Sequence, residues 1–223
     1  MNCCGAEEQQ AKDNFFSARA KRYSKRFRKK GLSKEQQHLV SGIVETASRE
    51  KKSEPGTVLE IGCGIAGLLI TLLRQGAVHA TGIDASQGMI ERAKENAAGS
   101  GLNEKMEFFH GDFVAIENSI SPAEVVILDR VLCCDGNPEM LIRQSASKAT
   151  RVYAVSFPRD FLPVRLFVKT GIAIAKFFPF RFTPFYHEPA LLCRWIEEQG
   201  FAAHFSRHTF LWQVLVYRRI NAD

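Results

Sequence analysis

Short apolar runs alternate with longer amphipathic segments through the middle of the chain. The apolar runs predict buried strands at residues 57–61, 80–83, 106–110, 125–128 and 152–157. The segments between them repeat apolar residues at helical spacing, with helices predicted at 66–75, 86–98 and 137–148. Strands that alternate with helices predict a doubly wound α/β fold, in which helices cover both faces of a parallel sheet.

The pattern changes near the end of the chain. Pro189 opens a predicted helix that Gly200 ends, and strands at 201–206 and 211–217 then follow with only a short turn between them. That turn is too short for a helical crossover, so these two strands must pair antiparallel. The sequence therefore predicts a mostly parallel sheet with an antiparallel closing pair.

The N-terminal part of the chain is basic and polar. Residues 1–52 contain 13 Lys and Arg against 6 Asp and Glu, whereas the whole chain has a net charge of +6. We expect a loosely ordered end at 1–12, a helix at 13–30, and a second helix opened by the capping box from Ser33 to Gln36. Residues 1–52 are therefore predicted to be a helical cover on a domain at 53–223, and the charge indicates either a solvated helix face or contact with acidic partners.

Composition limits the class of protein. The 223 residues are 45% hydrophobic and 24% charged, which is typical of a soluble globular chain. No apolar run of membrane-spanning length occurs, and Met1–Glu8 lacks the features of a secretion signal, so a cytoplasmic location is expected. The six cysteines are then expected to be reduced, and none of their spacings matches a zinc ribbon or finger, so no metal is predicted.

A glycine-rich turn follows the first predicted strand. Glu60 ends that strand, and Gly62, Gly64 and Gly67 lead into the next helix. Glycines let the backbone approach a flat ligand, and a carboxylate beside them can accept a hydrogen bond from a cationic or polar group. The same spacing fits a nicotinamide-dependent oxidoreductase, although Glu60 would repel the pyrophosphate of a dinucleotide.

Three acidic residues lie at or just beyond the ends of successive predicted strands: Glu60, Asp84 and Asp112. The carboxyl ends of parallel strands share one edge of the sheet, where open α/β folds bind ligands. Asp84 lies 24 residues after Glu60, a spacing that suits a carboxylate accepting from both ribose hydroxyls. Asp112 and Phe113 can meet an adenine. The alternative for each acid is to cap the helix or turn that follows it.

These segments resemble the class I S-adenosylmethionine-dependent methyltransferases, whose fold is Rossmann-like. The resemblance rests on residues 58–64, 82–86 and 111–113 and on the closing strand pair. It implies a seven-stranded sheet with an antiparallel last strand and S-adenosylmethionine as cofactor. The chain departs from the family in having Ala66 where a third glycine is frequent. The implied cofactor-binding residues are Glu60, Gly62, Cys63, Gly64, Gly67, Asp84, Ala85, Met89, Asp112, Phe113 and Asp129.

The residues after the fourth predicted strand are candidates for the methyl-transfer step. Asp129 or Asp135 can orient an amine or a hydroxyl, and Arg130 can bind a substrate carboxylate or pair with a neighbouring acid. His187 is a candidate base. The pair Cys133-Cys134 fits either small buried fillers or thiols that bind a soft metalloid.

Residues 157–187 are predicted to form a lid over the substrate. Eight of the 17 phenylalanines fall there, interleaved with basic residues. The alternatives are additional core packing or peripheral contact with a membrane. The segment is similar to magnesium-protoporphyrin O-methyltransferases, which implies a flat, hydrophobic or carboxylated acceptor.

The predicted function is methyl transfer to such a small molecule, with no obligate protein partner. Four alternatives stay open. They are a nicotinamide-dependent oxidoreductase, a tRNA or rRNA methyltransferase that uses the basic run at 19–30, an arsenite methyltransferase, and a non-enzymatic binding module.

Overall fold

The computed structural model describes residues 6–48, 56–175 and 184–220. Within these ranges one sheet contains seven strands. They are β1 (Thr57–Ile61), β2 (His79–Asp84), β3 (Met106–His110), β4 (Ala123–Asp129), β5 (Ala149–Pro158), β6 (Phe201–His208) and β7 (Trp212–Arg219). The α-helices are α1 (Ala6–Lys30), α2 (Lys34–Ser48), α3 (Gly67–Arg74), α4 (Gln87–Gly99), α5 (Phe113–Ile116), α6 (Pro138–Lys148), α7 (Leu162–Ala175) and α8 (Pro189–Glu198).

The strand order is β3-β2-β1-β4-β5-β7-β6, and β7 runs antiparallel to both of its neighbours. The other pairs in the sheet are parallel. The prediction of a mostly parallel seven-stranded sheet with an antiparallel last strand is therefore confirmed. Because the chain order reverses between β1 and β4, a crevice forms beyond the carboxyl ends of these two strands.

Helices cover both faces of the sheet, as predicted. One core cluster joins the strands to α2, α3 and α4 through residues such as Leu39, Leu69 and Ile90. The other joins them to α5, α6 and α8 through residues such as Phe113 and Ile196. The two clusters pack the strands from both sides and leave the carboxyl ends of the strands at one edge of the sheet.

The second helix lies unusually close to the sheet. A Cβ atom on Gly42 would come within 2.5 Å of the Phe205 ring and 2.8 Å of Val216. A larger residue would therefore push α2 away from β6 and β7. The predicted capping box at the start of α2 is confirmed, because Gln36 Oε1 accepts from the Ser33 amide at 3.1 Å.

The first helix is longer than expected. It begins at Ala6, so the prediction of a loosely ordered end at 1–12 is wrong for residues 6–12. The reason is tertiary packing, since Ala11 and Lys12 are buried against the rest of the protein. The fifth strand is also longer than expected, at Ala149–Pro158.

The first helix is fixed to α4 by polar contacts. Ser17 Oγ accepts from the Gly88 amide at 2.9 Å and lies 2.8 Å from Ser86 Oγ. Asp13 Oδ1 accepts from the Gln87 amide at 3.0 Å. These bonds satisfy amides at the start of α4 that have no acceptor within their own helix. The division at residue 52 stays a prediction.

The helices that the structure describes include none that is both long enough and apolar enough to cross a bilayer. The cytoplasmic location stays an expectation.

Candidate functional site

The glycine turn after β1 forms the floor of the site. Gly62 and Gly64 have positive φ angles of 70° and 52°, which favour glycine. A Cβ atom on Gly62 would lie 2.4 Å from Val131 Cγ2, so the turn packs directly against the segment after β4. Ala66 adopts the left-handed conformation at φ 61°. The turn therefore closes with alanine at that position.

Glu60 is a buried carboxylate with an unpartnered oxygen. Its side chain is 3% exposed, and its Oε2 atom has no hydrogen-bond partner among the described residues. Burial, followed by the charges of Asp129 and Asp84, raises the pKa of Glu60 well above its usual value. A buried carboxylate that lacks a donor is costly, so this atom marks a place where a ligand with N–H or cationic groups would be stabilised.

Asp84 ends β2 and accepts two backbone hydrogen bonds. Its Oδ2 atom accepts from the Gly64 amide at 2.7 Å, and its Oδ1 atom accepts from the Ser86 amide at 2.8 Å. Burial raises the pKa of Asp84 to about 6, although the bonds from Ser86 and Gly64 act in the opposite direction. This carboxylate therefore holds the glycine turn and lines the space above it.

Asp112 and Phe113 line the same space from the end of β3. Asp112 caps α5, because its Oδ1 atom accepts from the Val114 amide at 3.1 Å. Phe113 is 3% exposed and belongs to the core on one face of the sheet. Asp112 thus caps the following helix, which was the alternative considered for it, and it also lies on the wall of the cavity.

Asp129 ends β4 and accepts from several side chains. Its Oδ1 atom accepts from Ser156 Oγ at 2.5 Å, and its Oδ2 atom accepts from Gln36 Nε2 at 2.9 Å and Arg130 Nη2 at 2.9 Å. Arg130 also contacts Glu35 at 3.4 Å. Arg130 therefore pairs with neighbouring acids, which is one of the two roles considered for it. Through these bonds Asp129 links α2, β4 and β5.

These residues surround one cavity of about 420 Å³. All eleven of the predicted cofactor-binding residues line it, and so does Arg130. Its volume lies within the range of small-molecule sites. It also lies at the position expected for a ligand in this type of sheet, beyond the carboxyl ends of β1 and β4.

The N-terminal helices also contribute to the wall of the cavity, which the sequence did not indicate. Side chains of α1 and α2 that line the cavity include Lys12, Phe16, Tyr23 and Gln36. The one available signal for Gln36 was its place in the capping box, which puts it at the start of α2. No local pattern indicated that α1 would face the ligand site.

His187 lies just outside the lining of the cavity, and the lid at 157–187 stays a prediction because residues 176–183 lie outside the described residues. The His187 ring bonds the carbonyl oxygen of Asp135 through Nε2 at 2.8 Å and stacks on Phe185. Among the described residues of 157–187, none lines the cavity. Helix α7 instead exposes apolar side chains, with Leu162, Leu166 and Phe167 between 66% and 73% exposed. Most of the remaining lid phenylalanines lie outside the described residues.

The cysteine pair after β4 lines the cavity as two free thiols. Their Sγ atoms are 4.0 Å apart. The hydrogen bond between them lowers the pKa of Cys133, whereas the same bond and burial raise the pKa of Cys134 well above its usual value. Cys3 and Cys4 lie outside the described residues.

Comparison with known proteins agrees with this geometry. Residues 58–152 match a family described as a methyltransferase domain. This chain has the class I methyltransferase fold. The resemblance stated from the glycine turn and the strand-end acids is confirmed, and the matched residues include the first five strands up to Val152.

Curated relatives share the central part of the chain. A release factor glutamine methyltransferase from Bacillus cereus is 35% identical over 82 residues, which cover 36% of this chain and 28% of the relative. A sterol 24-C-methyltransferase from Gibberella zeae is 37% identical over 57 residues, which cover 26% and 15%. The chain thus spans less than a third of the length of these relatives, and their acceptors differ widely.

A solved structure extends the likeness to nearly the whole fold. Magnesium protoporphyrin IX methyltransferase from Synechocystis, crystallised with S-adenosylhomocysteine, has a TM-score of 0.71 at 22% identity. The alignment covers 93% of this chain and 97% of that one. At this identity the likeness establishes the fold alone.

Proposed function

We propose that this protein transfers a methyl group from S-adenosylmethionine to a small molecule. The observation that carries the proposal is the buried Glu60 carboxylate beside the glycine turn, whose Oε2 atom has no partner among the described residues, inside a cavity that all the expected cofactor residues line. The match of residues 58–152 to a methyltransferase domain supports the same conclusion.

The residues present fit the cofactor. Glu60 would accept from the ammonium group of the methionine part, which supplies the donor that Oε2 lacks. Asp84 would accept from the ribose hydroxyls. Phe113 would offer an apolar face to the adenine, and Asp112 would accept from its exocyclic amine. When bound, the cofactor supplies an electrophilic methyl group on a sulfonium.

The protein's own part is to orient the reactants and to exclude water. Lys12, Phe16 and Tyr23 of α1 line the cavity together with the strand ends and shield part of it from water. The network around Asp129 fixes the segment after β4, where an acceptor would approach. Positioning of this kind lowers the barrier without a strong base when the acceptor is sulfur, carbon or neutral nitrogen.

Asp129, Arg130 and His187 stay candidates for contact with the acceptor. Arg130 is the best placed, because it lines the cavity and carries a charge that can bind a carboxylate. A small, hydrophobic or carboxylated acceptor is the class that suits the aromatic part of the lining, which includes Phe16, Tyr23 and Trp212, together with the Arg130 charge.

Calorimetry tests the cofactor. We expect S-adenosylhomocysteine to bind with micromolar affinity and NADH not to bind. Binding of NADH without S-adenosylhomocysteine would overturn the proposal in favour of an oxidoreductase. Transfer of radiolabelled methyl groups into a fractionated cell extract, followed by mass analysis of the product, would then identify the acceptor.

A further inference from the structure

Two thiols stand side by side on the wall of the cavity. Cys133 and Cys134 belong to the single 3-10 turn after β4, at Leu132–Cys134, and both line the cavity. Their Sγ atoms are 4.0 Å apart, far beyond the ~2.05 Å of a disulfide bond. Both thiols also point to one acceptor, the carbonyl oxygen of Arg130, at 3.4 Å and 3.7 Å.

The turn that carries the thiols is held from two sides. On the sheet side, the Arg130 amide donates to the Ser156 side chain at 3.0 Å, and Arg130 has a positive φ of 59°. On the outer side, the Phe185 amide donates to the Cys133 carbonyl at 2.8 Å, and the His187 ring bonds the Asp135 carbonyl at 2.8 Å. The separation of the thiols is therefore set by the fold before any ligand arrives.

The surroundings do not suit an ordinary metal ion. The described residues contain no group of three or more His, Cys, Asp and Glu side chains arranged for a metal. Structural zinc takes four protein ligands, whereas this pair offers two thiols. A trivalent arsenical that carries one organic group needs two further bonds, and soft thiol ligands are those it prefers.

We propose that Cys133 and Cys134 form a dithiol site for trivalent arsenicals inside the cofactor cavity. The site goes beyond the proposed function, because it concerns a ligand other than the cofactor. For an arsenical with two hydroxyl groups, two arsenic–sulfur bonds form and two arsenic–oxygen bonds break. The thiol protons leave with the hydroxides as two water molecules. Arsenic stays trivalent, so no oxidant or reductant is required.

Phenylarsine oxide is the probe for this site. Cys3 and Cys4 are also adjacent and would react, so the starting protein is the full chain with Cys3→Ser and Cys4→Ser. We expect intact-protein mass spectrometry to show one bound equivalent. That equivalent should survive 2-mercaptoethanol and be removed by 2,3-dimercaptopropanol, because two sulfurs on one molecule compete with a chelating pair.

Removal of either thiol should abolish tight binding. In the same background, Cys133→Ser and Cys134→Ser should each weaken binding about 100-fold, since one thiol alone loses the chelate advantage. The matched control is Cys193→Ser, a half-buried thiol on α8 that lies outside the cavity lining and should keep the equivalent. Full binding by both cavity variants, or its loss in the control, would overturn the proposal.

Calorimetry with S-adenosylhomocysteine separates the two proposals. If the protein binds S-adenosylhomocysteine but not phenylarsine oxide, the dithiol site is wrong and the methyltransferase proposal stands. If it binds phenylarsine oxide at Cys133 and Cys134 but no S-adenosylhomocysteine, the dithiol site stands and the cofactor assignment fails.

Discussion

Glu60 and Asp129 end neighbouring strands of the same sheet, yet their surroundings are opposite. Glu60 has an oxygen without a hydrogen-bond partner among the described residues, whereas Asp129 accepts from Ser156, Gln36 and Arg130. The Glu60 carboxylate can still accept a hydrogen bond from a ligand, whereas the Asp129 carboxylate links separate elements of the fold. A strand-end acid in this fold therefore takes its role from its partners and not from its position in the sequence.

Replacement of Asp129 should give the largest effect. Asp129→Ala removes the acceptor of the buried Ser156 hydroxyl and of Gln36, and it leaves the half-buried Arg130 guanidinium with the longer contact to Glu35, so we expect the free energy of unfolding to fall by about 2 kcal/mol. Urea denaturation measures this change. The control is Asp160→Ala, which removes an exposed partner of Arg165 and should change stability by less than about 0.5 kcal/mol. Equal losses of stability in the two variants would show that the bonds to Asp129 contribute no more than an exposed ion pair does.

Replacement of Glu60 should weaken ligand binding without lowering the stability of the fold. Glu60→Gln keeps the shape but removes the charge, so we expect affinity for S-adenosylhomocysteine to fall about 30-fold while the melting temperature rises. The rise follows because a buried charge, one of whose oxygens has no partner in the described part of the chain, no longer has to be accommodated. Calorimetry and thermal unfolding give the two readouts. Glu95→Gln, on the exposed surface of α4, should change neither. A lower melting temperature with unchanged affinity would show that Glu60 is structural.

A change of pH should have a smaller effect on the affinity for S-adenosylhomocysteine. The pKa of Asp84 in the ligand-free protein is raised to about 6, so protonation competes with ribose binding below that pH. In a Glu60→Gln background, affinity for S-adenosylhomocysteine should fall about tenfold from pH 7 to pH 5. Adding Asp84→Asn should remove this dependence. A profile that stays the same with and without the Asp84 carboxylate would assign the titration to another group.

Much of the fold could be predicted because its signals are local. The bounds of β1 and β3 were predicted correctly, and so were the Ser86 and Asn137 caps, since each depends on residues within a few positions. The prediction that Glu60, Asp84 and Asp112 share one edge of the sheet required only the direction of the strands.

The rest of the site depends on contacts between distant parts of the chain. Gln36 reaches Asp129 across 93 residues, and Ser156 reaches it across 27. The periodic pattern of apolar residues in the sequence does not indicate such a long-range contact. The wall formed by α1 escaped prediction for the same reason, because its basic composition indicated a solvated face while its other face packs on α4 and lines the cavity.

The docking of α1 has a consequence for how the protein is made. The ribosome completes this helix long before the residues that hold it, since Ser17 and Ser24 bond partners 69 and 72 positions later. The nascent helix lacks these hydrogen-bond partners until α4 has left the exit tunnel. Closure of the cavity is therefore a late event in biogenesis, and the ligand can stabilise the chain only after that point.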